Sequence, residues 1–260
     1  TCARLGGRLI VDEIYLGLTY DGEPQSALAT TGEHADDIFV VSSFSKYFNM
    51  TGWRLGWVVA PERHVRDLEK LAQNLYICPP TVSQRAALAC FLPGTLALLE
   101  ERRRAFQARR DFLVPALREL GFGIPVTPSG GFFVYADSSR FAADSQAFCR
   151  DVLDAAGVAI TPGLDFGRHR AASHVRFAYT IEMAKLEDQF AAQLLAFAKK
   201  HREKDPAIAD RALRTLLDGR PDHEEARSLL GDADDGGGAA SKPAPKSPDT
   251  GPFAKLRVAQ

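Results

Sequence analysis

The chain has 260 residues, of which 45% are hydrophobic and 25% charged, a composition typical of folded globular proteins. Its 32 basic and 33 acidic side chains give a formal net charge of −1, which argues against a nucleic-acid or anionic-membrane partner held through bulk charge. No apolar run approaches the length that crosses a bilayer and no signal-peptide pattern opens the chain, so we expect a cytoplasmic protein with no membrane partner.

Short apolar runs dominate the first part of the chain. Three such runs occur, at residues 8–14, 38–44 and 54–60. Runs of this length, bounded by turn residues, predict strands that are buried on both faces of an α/β sheet. Helical periodicity follows at 62–75, just after Pro61, and at 81–92. We therefore predict that residues 1–94 form part of a large α/β domain.

A long helical pattern separates this region from a second group of strands. Residues 95–120 predict one helix that stops at Gly121, and Pro115 is expected to bend or divide it. A helix of this length between two groups of strands indicates an interdomain element, which we assign to 95–121. Residues 122–203 then alternate strand and helix patterns and predict a small α+β domain.

The end of the chain has a different character. Residues 204–231 carry two short amphipathic stretches that resemble a single tetratricopeptide-like helix pair, which cannot bury its own apolar face. Residues 232–260 are low in complexity and are expected to be disordered.

The opening residues 1–13 run straight into a strand pattern without an initiator Met, so we expect the sequence to be a fragment. The four cysteines and six histidines form no metal motif, so we expect free thiols and no metal site.

Reactive side chains follow the predicted strands. The segment VDEIY places Asp12 and Tyr15 after the first strand, and SFSKYFNMTGWRLG places Lys46 after the second, with Ser43 and Arg54 on either side. The carboxyl ends of strands are where α/β sheets bind ligands. An enzyme that uses pyridoxal phosphate (PLP) needs such groups: an amine for the aldehyde, a carboxylate for the ring nitrogen, and hydroxyl and guanidinium donors for the phosphate.

These segments resemble one known family. SFSKYFNMTGWRLG fits the lysine-site pattern of the class I/II aminotransferases, which are PLP enzymes of fold type I, and VDEIY, PSGGFF, TPGLDFG and HVRFAYT follow the family's order. The resemblance covers about residues 4–200 and corresponds to the C-terminal half of the family. It implies a three-layer PLP-transferase major domain that lacks its N-terminal part, a small α+β C-terminal domain, and a homodimer acting on amino acids and 2-oxo acids.

The resemblance also implies a role for each candidate residue. Lys46 would form the Schiff base with PLP and transfer the proton, while Asp12 would pair with the pyridinium nitrogen and Tyr15 would hydrogen-bond the ring oxygen. The remaining candidates are anion binders: Ser43, Ser45 and Arg54 for the cofactor phosphate, and Arg176 for the substrate carboxylate. Each residue also has an ordinary structural interpretation, such as a turn serine, a strand-end acid, a core tyrosine or a salt-bridge arginine.

Other functions remain open at this stage. A PLP-dependent lyase or decarboxylase could use the same residues, because substrate orientation decides which bond at the α-carbon breaks. A non-catalytic role is the other alternative, either as part of a PLP-sensing regulator, as a truncated module, or through a partner recruited by the tail after residue 200.

Overall fold

The structure is a computed structural model that describes residues 2–30, 32–203 and 205–231, so the predicted disordered tail lies outside the described residues. Its mixture of helices and strands confirms the predicted α/β class. The chain divides into two compact units. The first comprises the residues up to Gln107 together with Ser129–Gly131, and the second comprises Ala108–Pro128 and the described residues from Phe132 onward.

The first unit contains a three-stranded sheet. Its strands are β1 (Leu9–Asp12), β2 (Ile38–Ser43) and β3 (Gly56–Val59), in that spatial order. β1 runs parallel to β2, with Asp12 opposite Val41, and β3 runs antiparallel to β2, with Ser43 opposite Gly56. The carboxyl ends of β1 and β2 and the start of β3 therefore lie at the same edge of the sheet.

The expectation that these strands are buried on both faces is wrong. Ile10 is 71% exposed, Val58 is 45% exposed and Trp57 is 40% exposed. A strand is buried on both faces only where another layer covers each face. The described residues therefore leave part of this sheet uncovered.

Helices of the first unit follow the sheet. They are α1 (Glu62–Leu75), which begins after Pro61, and α2 (Thr81–Ala89), which begins after Pro80. A small core joins α2 to the connection between β2 and β3. Its buried members are Phe44, Met50, Leu55, Ala87 and Cys90. Because three of them come from residues 44–55, this packing fixes the segment that carries Lys46.

The long helix α3 (Pro93–Leu120) is continuous through Pro115, so of the two expected effects of this proline, a bend or a division, the division is wrong and the bend stays a prediction. Proline inside a helix costs about 3 kcal/mol, and the burial of Val114, Ala116 and Leu117 around it offsets that cost. The division between the two units falls inside α3, and the predicted boundaries at residues 95 and 121 stay a prediction.

Among the described residues no single helix is long and apolar enough to span a membrane, and α2 and α3 meet those limits only when joined across an 84° bend.

The second unit is built on a three-stranded antiparallel sheet. Its strands β4 (Phe133–Asp137), β5 (Thr161–Pro162) and β6 (His174–Ala178) lie in the order β4-β6-β5. Helix α4 (Ser145–Ala156) is capped by the Asp144 carboxylate, which accepts two backbone N–H groups, and helix α5 is Met183–His201. The largest fully buried side chains of this unit include Val134, Val175, Tyr179, Phe190 and Leu194.

The two amphipathic stretches near the end of the chain form α6 (Pro206–Gly219) and α7 (Glu224–Leu230). Helix α6 begins at Asp205, whose side chain accepts the Ile208 N–H, and it packs against α5. Leu213 and Leu216 on this helix are at most 1% exposed. The apolar face that a lone helix pair could not bury is therefore buried within the second unit.

Candidate active site

The structure brings Lys46 close to Tyr15 in the first unit. Asp12 ends β1, and its carboxylate accepts the Ile14 backbone N–H at 3.1 Å, which starts the turn that leads to Tyr15. Lys46 follows β2, and its Nζ lies 5.7 Å from the centroid of the Tyr15 ring. Because β1 and β2 are parallel, both segments leave the sheet at the same edge. An amine, a phenol and a carboxylate thus share that edge.

The connection between β2 and β3 gathers the candidate anion binders. Ser43 Oγ accepts the Ser45 backbone N–H at 3.0 Å and lies 2.8 Å from Ser45 Oγ. The Ser45 carbonyl accepts the Thr51 hydroxyl at 2.6 Å, and the Thr51 carbonyl accepts Nη1 of Arg54 at 2.8 Å. Two hydroxyls and one exposed guanidinium therefore lie in one hydrogen-bonded turn, which is a suitable donor set for a phosphate.

This turn contains two residues with left-handed backbone conformations. Asn49 has φ 55° and Arg54 has φ 51°; asparagine adopts this conformation readily, whereas it is disfavoured for arginine. The turn closes through the Phe44 N–H, which donates to the Leu55 carbonyl at 3.0 Å, and through further backbone hydrogen bonds inside it. The ring of Phe44 also contacts Trp57 at 5.1 Å between centroids. Packing and hydrogen bonds together hold Arg54 in a conformation that arginine does not favour by itself.

Sequence reasoning missed the residue next to Lys46. The Tyr47 hydroxyl donates to Glu100 Oε1 at 2.7 Å, and Glu100 Oε2 accepts Nε of Arg103 at 2.8 Å. Burial, together with the bond to Glu100, raises the pKa of Tyr47 to about 12. Burial alone would raise the pKa of the Glu100 carboxyl, but the hydrogen bonds from Arg103 and Tyr47 outweigh it and hold that pKa below its usual value. No local pattern indicates a bond between residues 53 positions apart.

Arg176 lies in the second unit, on the central strand β6. Its guanidinium carbon is 4.1 Å from the centroid of the Phe133 ring and 4.4 Å from that of Phe166. Its Nε is buried and has no hydrogen-bond partner among the residues the structure describes. A buried guanidinium nitrogen without a partner is costly, and a bound carboxylate would satisfy it. Phe133 and Phe166 belong to PSGGFF and TPGLDFG, so the motifs were visible in the sequence but this contact was not.

Comparison with known proteins identifies the family of the chain. The family model for aminotransferases of class I and II matches residues 1–192. Over 181 residues the chain is 41% identical to valine–pyruvate aminotransferase from Mycobacterium tuberculosis, covering 70% of this chain and 46% of that protein. It is 36% identical over 180 residues to arginine–pyruvate transaminase from Pseudomonas aeruginosa, covering 69% and 45%. A crystal structure of an aminotransferase from Mycobacterium tuberculosis matches with a TM-score of 0.67 at 41% identity, covering 72% of this chain and 48% of that one.

The chain therefore belongs to the class I and II aminotransferase family, as its motifs indicated. It spans about half the length of the curated relatives it matches. The structural match also confirms a mixed α/β fold that corresponds to part of the PLP-transferase fold.

Proposed function

We propose that the protein is a PLP-dependent aminotransferase that moves an amino group between an amino acid and a 2-oxo acid. The observation that carries the proposal is the Lys46 amine over the Tyr15 ring, at the sheet edge where Asp12 ends β1. Membership of the family supports it, because aminotransferases of class I and II are generally PLP-dependent. The chain's own donor set also fits the cofactor in charge and hydrogen-bonding character.

Each part of PLP has a complementary group in the first unit. The Asp12 carboxylate would hold the ring nitrogen, the Tyr15 hydroxyl would donate to the ring oxygen, and Lys46 Nζ would attach the cofactor covalently. Hydroxyls of the β2–β3 turn, from Ser43 and Ser45, would bind the phosphate together with the Arg54 guanidinium. When bound, PLP supplies an aldehyde that bonds amines and a ring that accepts electrons from the α-carbon.

The chain's residues would then orient the substrate and move its proton. Arg176 would bind the substrate α-carboxylate, and its buried Nε, which has no hydrogen-bond partner in the described part of the chain, supports that role. The Lys46 amine would carry on its Nζ the proton that leaves the substrate α-carbon.

Two relatives carry pyruvate in their names, which makes pyruvate the first amino-group acceptor to test. The purified protein is incubated with PLP and one amino acid at a time, with pyruvate or 2-oxoglutarate as the amino-group acceptor. The amino acids that form are then measured by mass spectrometry. Alanine formed from pyruvate would support the proposal. Carbon dioxide or an eliminated side-chain product without a new amino acid would instead indicate the decarboxylase or lyase alternative.

A second measurement locates the cofactor without relying on turnover. Borohydride reduction fixes PLP on the lysine that binds it, and peptide mass mapping identifies that lysine. We expect the label on Lys46 and no label there in Lys46→Ala. Absence of any labelled lysine, together with no product from any common amino acid, would rule out the proposed function and leave a non-catalytic module.

We also propose that the protein forms a homodimer. Large apolar side chains are exposed along the helical part of the first unit, among them Ile77 at 79%, Val82 at 70% and Leu88 at 63%. Groups of exposed apolar side chains mark interaction surfaces. Light scattering of the purified protein would give twice the mass of one chain if the proposal is right, and the mass of one chain if it is wrong.

A further inference from the structure

The Lys46 turn is tied to two other parts of the first unit through the neighbouring residue. Tyr47 donates to Glu100 on α3, Glu100 accepts Arg103 one helical turn later, and Arg103 Nη1 donates to the Thr19 carbonyl at 3.0 Å. Thr19 lies four residues after Tyr15. The three side chains therefore connect the segment that carries Lys46 to the segment that carries Tyr15.

A direct contact joins the same two segments a second time. A Cβ placed on Gly17 would lie 2.5 Å from Cγ of Tyr47, so the Tyr47 ring rests directly on the Gly17 backbone. Gly17 stands between Tyr15 and Thr19 in sequence. The lysine turn thus meets the Tyr15 segment twice, once through this contact and once through Glu100 and Arg103.

We propose that Tyr47, Glu100 and Arg103 are positioning residues that set where the Lys46 amine stands relative to Tyr15 and Asp12. The inference rests on the proposed function, because it concerns the amine that would hold the cofactor. The turn needs such support, since Arg54 within it adopts a disfavoured left-handed conformation. Its internal hydrogen bonds and its core with α2 fix its shape, and the contacts of Tyr47 and Arg103 tie it to the segment that follows β1.

The protonation states of the network suit this role. Burial and the bond to Glu100 raise the pKa of Tyr47 to about 12, so its hydroxyl stays a donor across the usual assay range. The bonds from Arg103 and Tyr47 outweigh the effect of burial and lower the pKa of the Glu100 carboxyl, so it stays an ionised acceptor. The network therefore persists at both mildly acid and mildly alkaline pH.

The test uses two near-isosteric variants, Tyr47→Phe and Glu100→Gln, in the protein as encoded. The matched control is Glu101→Gln, which makes the same change at the adjacent exposed position of α3. The first readout is amide hydrogen exchange of residues 44–55 without cofactor. Loss of one hydrogen bond to a charged group predicts about tenfold faster exchange in the two variants and no change in the control.

The second readout would not respond to a merely structural role. PLP attached at Lys46 absorbs visible light, and its absorbance changes with pH at a midpoint that depends on the surroundings of the amine. We expect this midpoint to shift by about half a unit or more in Tyr47→Phe and Glu100→Gln, and not in Glu101→Gln. Faster exchange with an unchanged midpoint would overturn the inference, because the network would then only stabilise the turn.

The two proposals fail in different ways. If borohydride fixes no PLP on Lys46 in the parent protein, the proposed function is wrong and the positioning inference falls with it. If PLP is fixed on Lys46 and the midpoint is the same in the parent, both variants and the control, only the positioning inference is wrong.

Discussion

Replacing Arg176 by lysine tests the substrate-binding part of the proposal most directly. The change keeps the positive charge but removes Nε, the buried nitrogen without a described partner, and the flat surface that stacks between Phe133 and Phe166. A hydrogen bond to a charged group contributes about 1.5–3 kcal/mol. We therefore expect kcat/KM for amino acids to fall about 10- to 100-fold.

The assay separates carboxylate binding from general damage. Rates are measured with an amino acid and with the matching primary amine, which has no α-carboxylate. Arg176→Lys should lose activity on the amino acid and keep the low activity of the parent on the amine. Arg168→Lys makes the same change at an exposed residue of the same unit, and it should behave as the parent on both substrates.

Two results would refute this reasoning. If Arg176→Lys loses the same factor on the amine as on the amino acid, the arginine supports the fold or the cofactor rather than the carboxylate. If the variant keeps full activity on both substrates, the unpartnered Nε has no part in binding, and the stacked guanidinium is a structural feature of the second unit.

Lys46→Ala should abolish covalent attachment of PLP and turnover while circular dichroism shows an unchanged fold; residual turnover at the parent rate would contradict the assignment. Leu216→Ala should lower the free energy of unfolding by about 2–5 kcal/mol because it leaves a cavity under α6. The control Leu153→Ala, at a residue 48% exposed, should lower it by less than about 1 kcal/mol. Equal losses for the two variants in denaturant unfolding would mean that α6 is not part of the core. The free energy of unfolding should also fall as pH rises from 9 to 12. Burial raises the pKa of Cys149 from 9.0 to about 11 and helps raise that of Tyr47 from 10.0 to about 12, so the unfolded chain releases these protons first. Tyr47→Phe should make the free energy of unfolding decline less steeply with pH. The same decline in the variant and the parent, measured by urea unfolding at each pH, would contradict this prediction.

The sequence predicted those features of the candidate site that depend on chain order. Asp12 ends β1 and Lys46 follows β2, and parallel pairing of these two strands brings both segments to one edge of the sheet. Ser43, Ser45 and Arg54 lie within one short connection, so their proximity follows from the hairpin. These placements need only local patterns and one rule of sheet geometry.

Contacts set by tertiary packing could not be predicted in this way. The Tyr47–Glu100 bond joins residues 53 positions apart, and the Phe133–Arg176–Phe166 stack joins three segments of the second unit. The continuity of α3 through Pro115 is similar, since burial of its neighbours outweighs a strong local preference. The exposed faces of the first sheet were missed because an apolar run signals burial without saying which part of the protein supplies the covering layer.

The conformation of Arg54 links strain in the turn to its proposed role. Its φ of 51° lies where glycine is favoured, and elsewhere the described chain mostly places glycine at positive φ. A residue with a Cβ costs about 1–2 kcal/mol in this conformation, so glycine at position 54 would relieve the backbone. The arginine is also exposed, and within the turn it donates only to the backbone carbonyl of Thr51. A donor on a residue with a less strained backbone could make the same hydrogen bond. We therefore propose that its guanidinium serves a ligand rather than the stability of the turn, and the phosphate of PLP is the ligand that the neighbouring hydroxyls also suit.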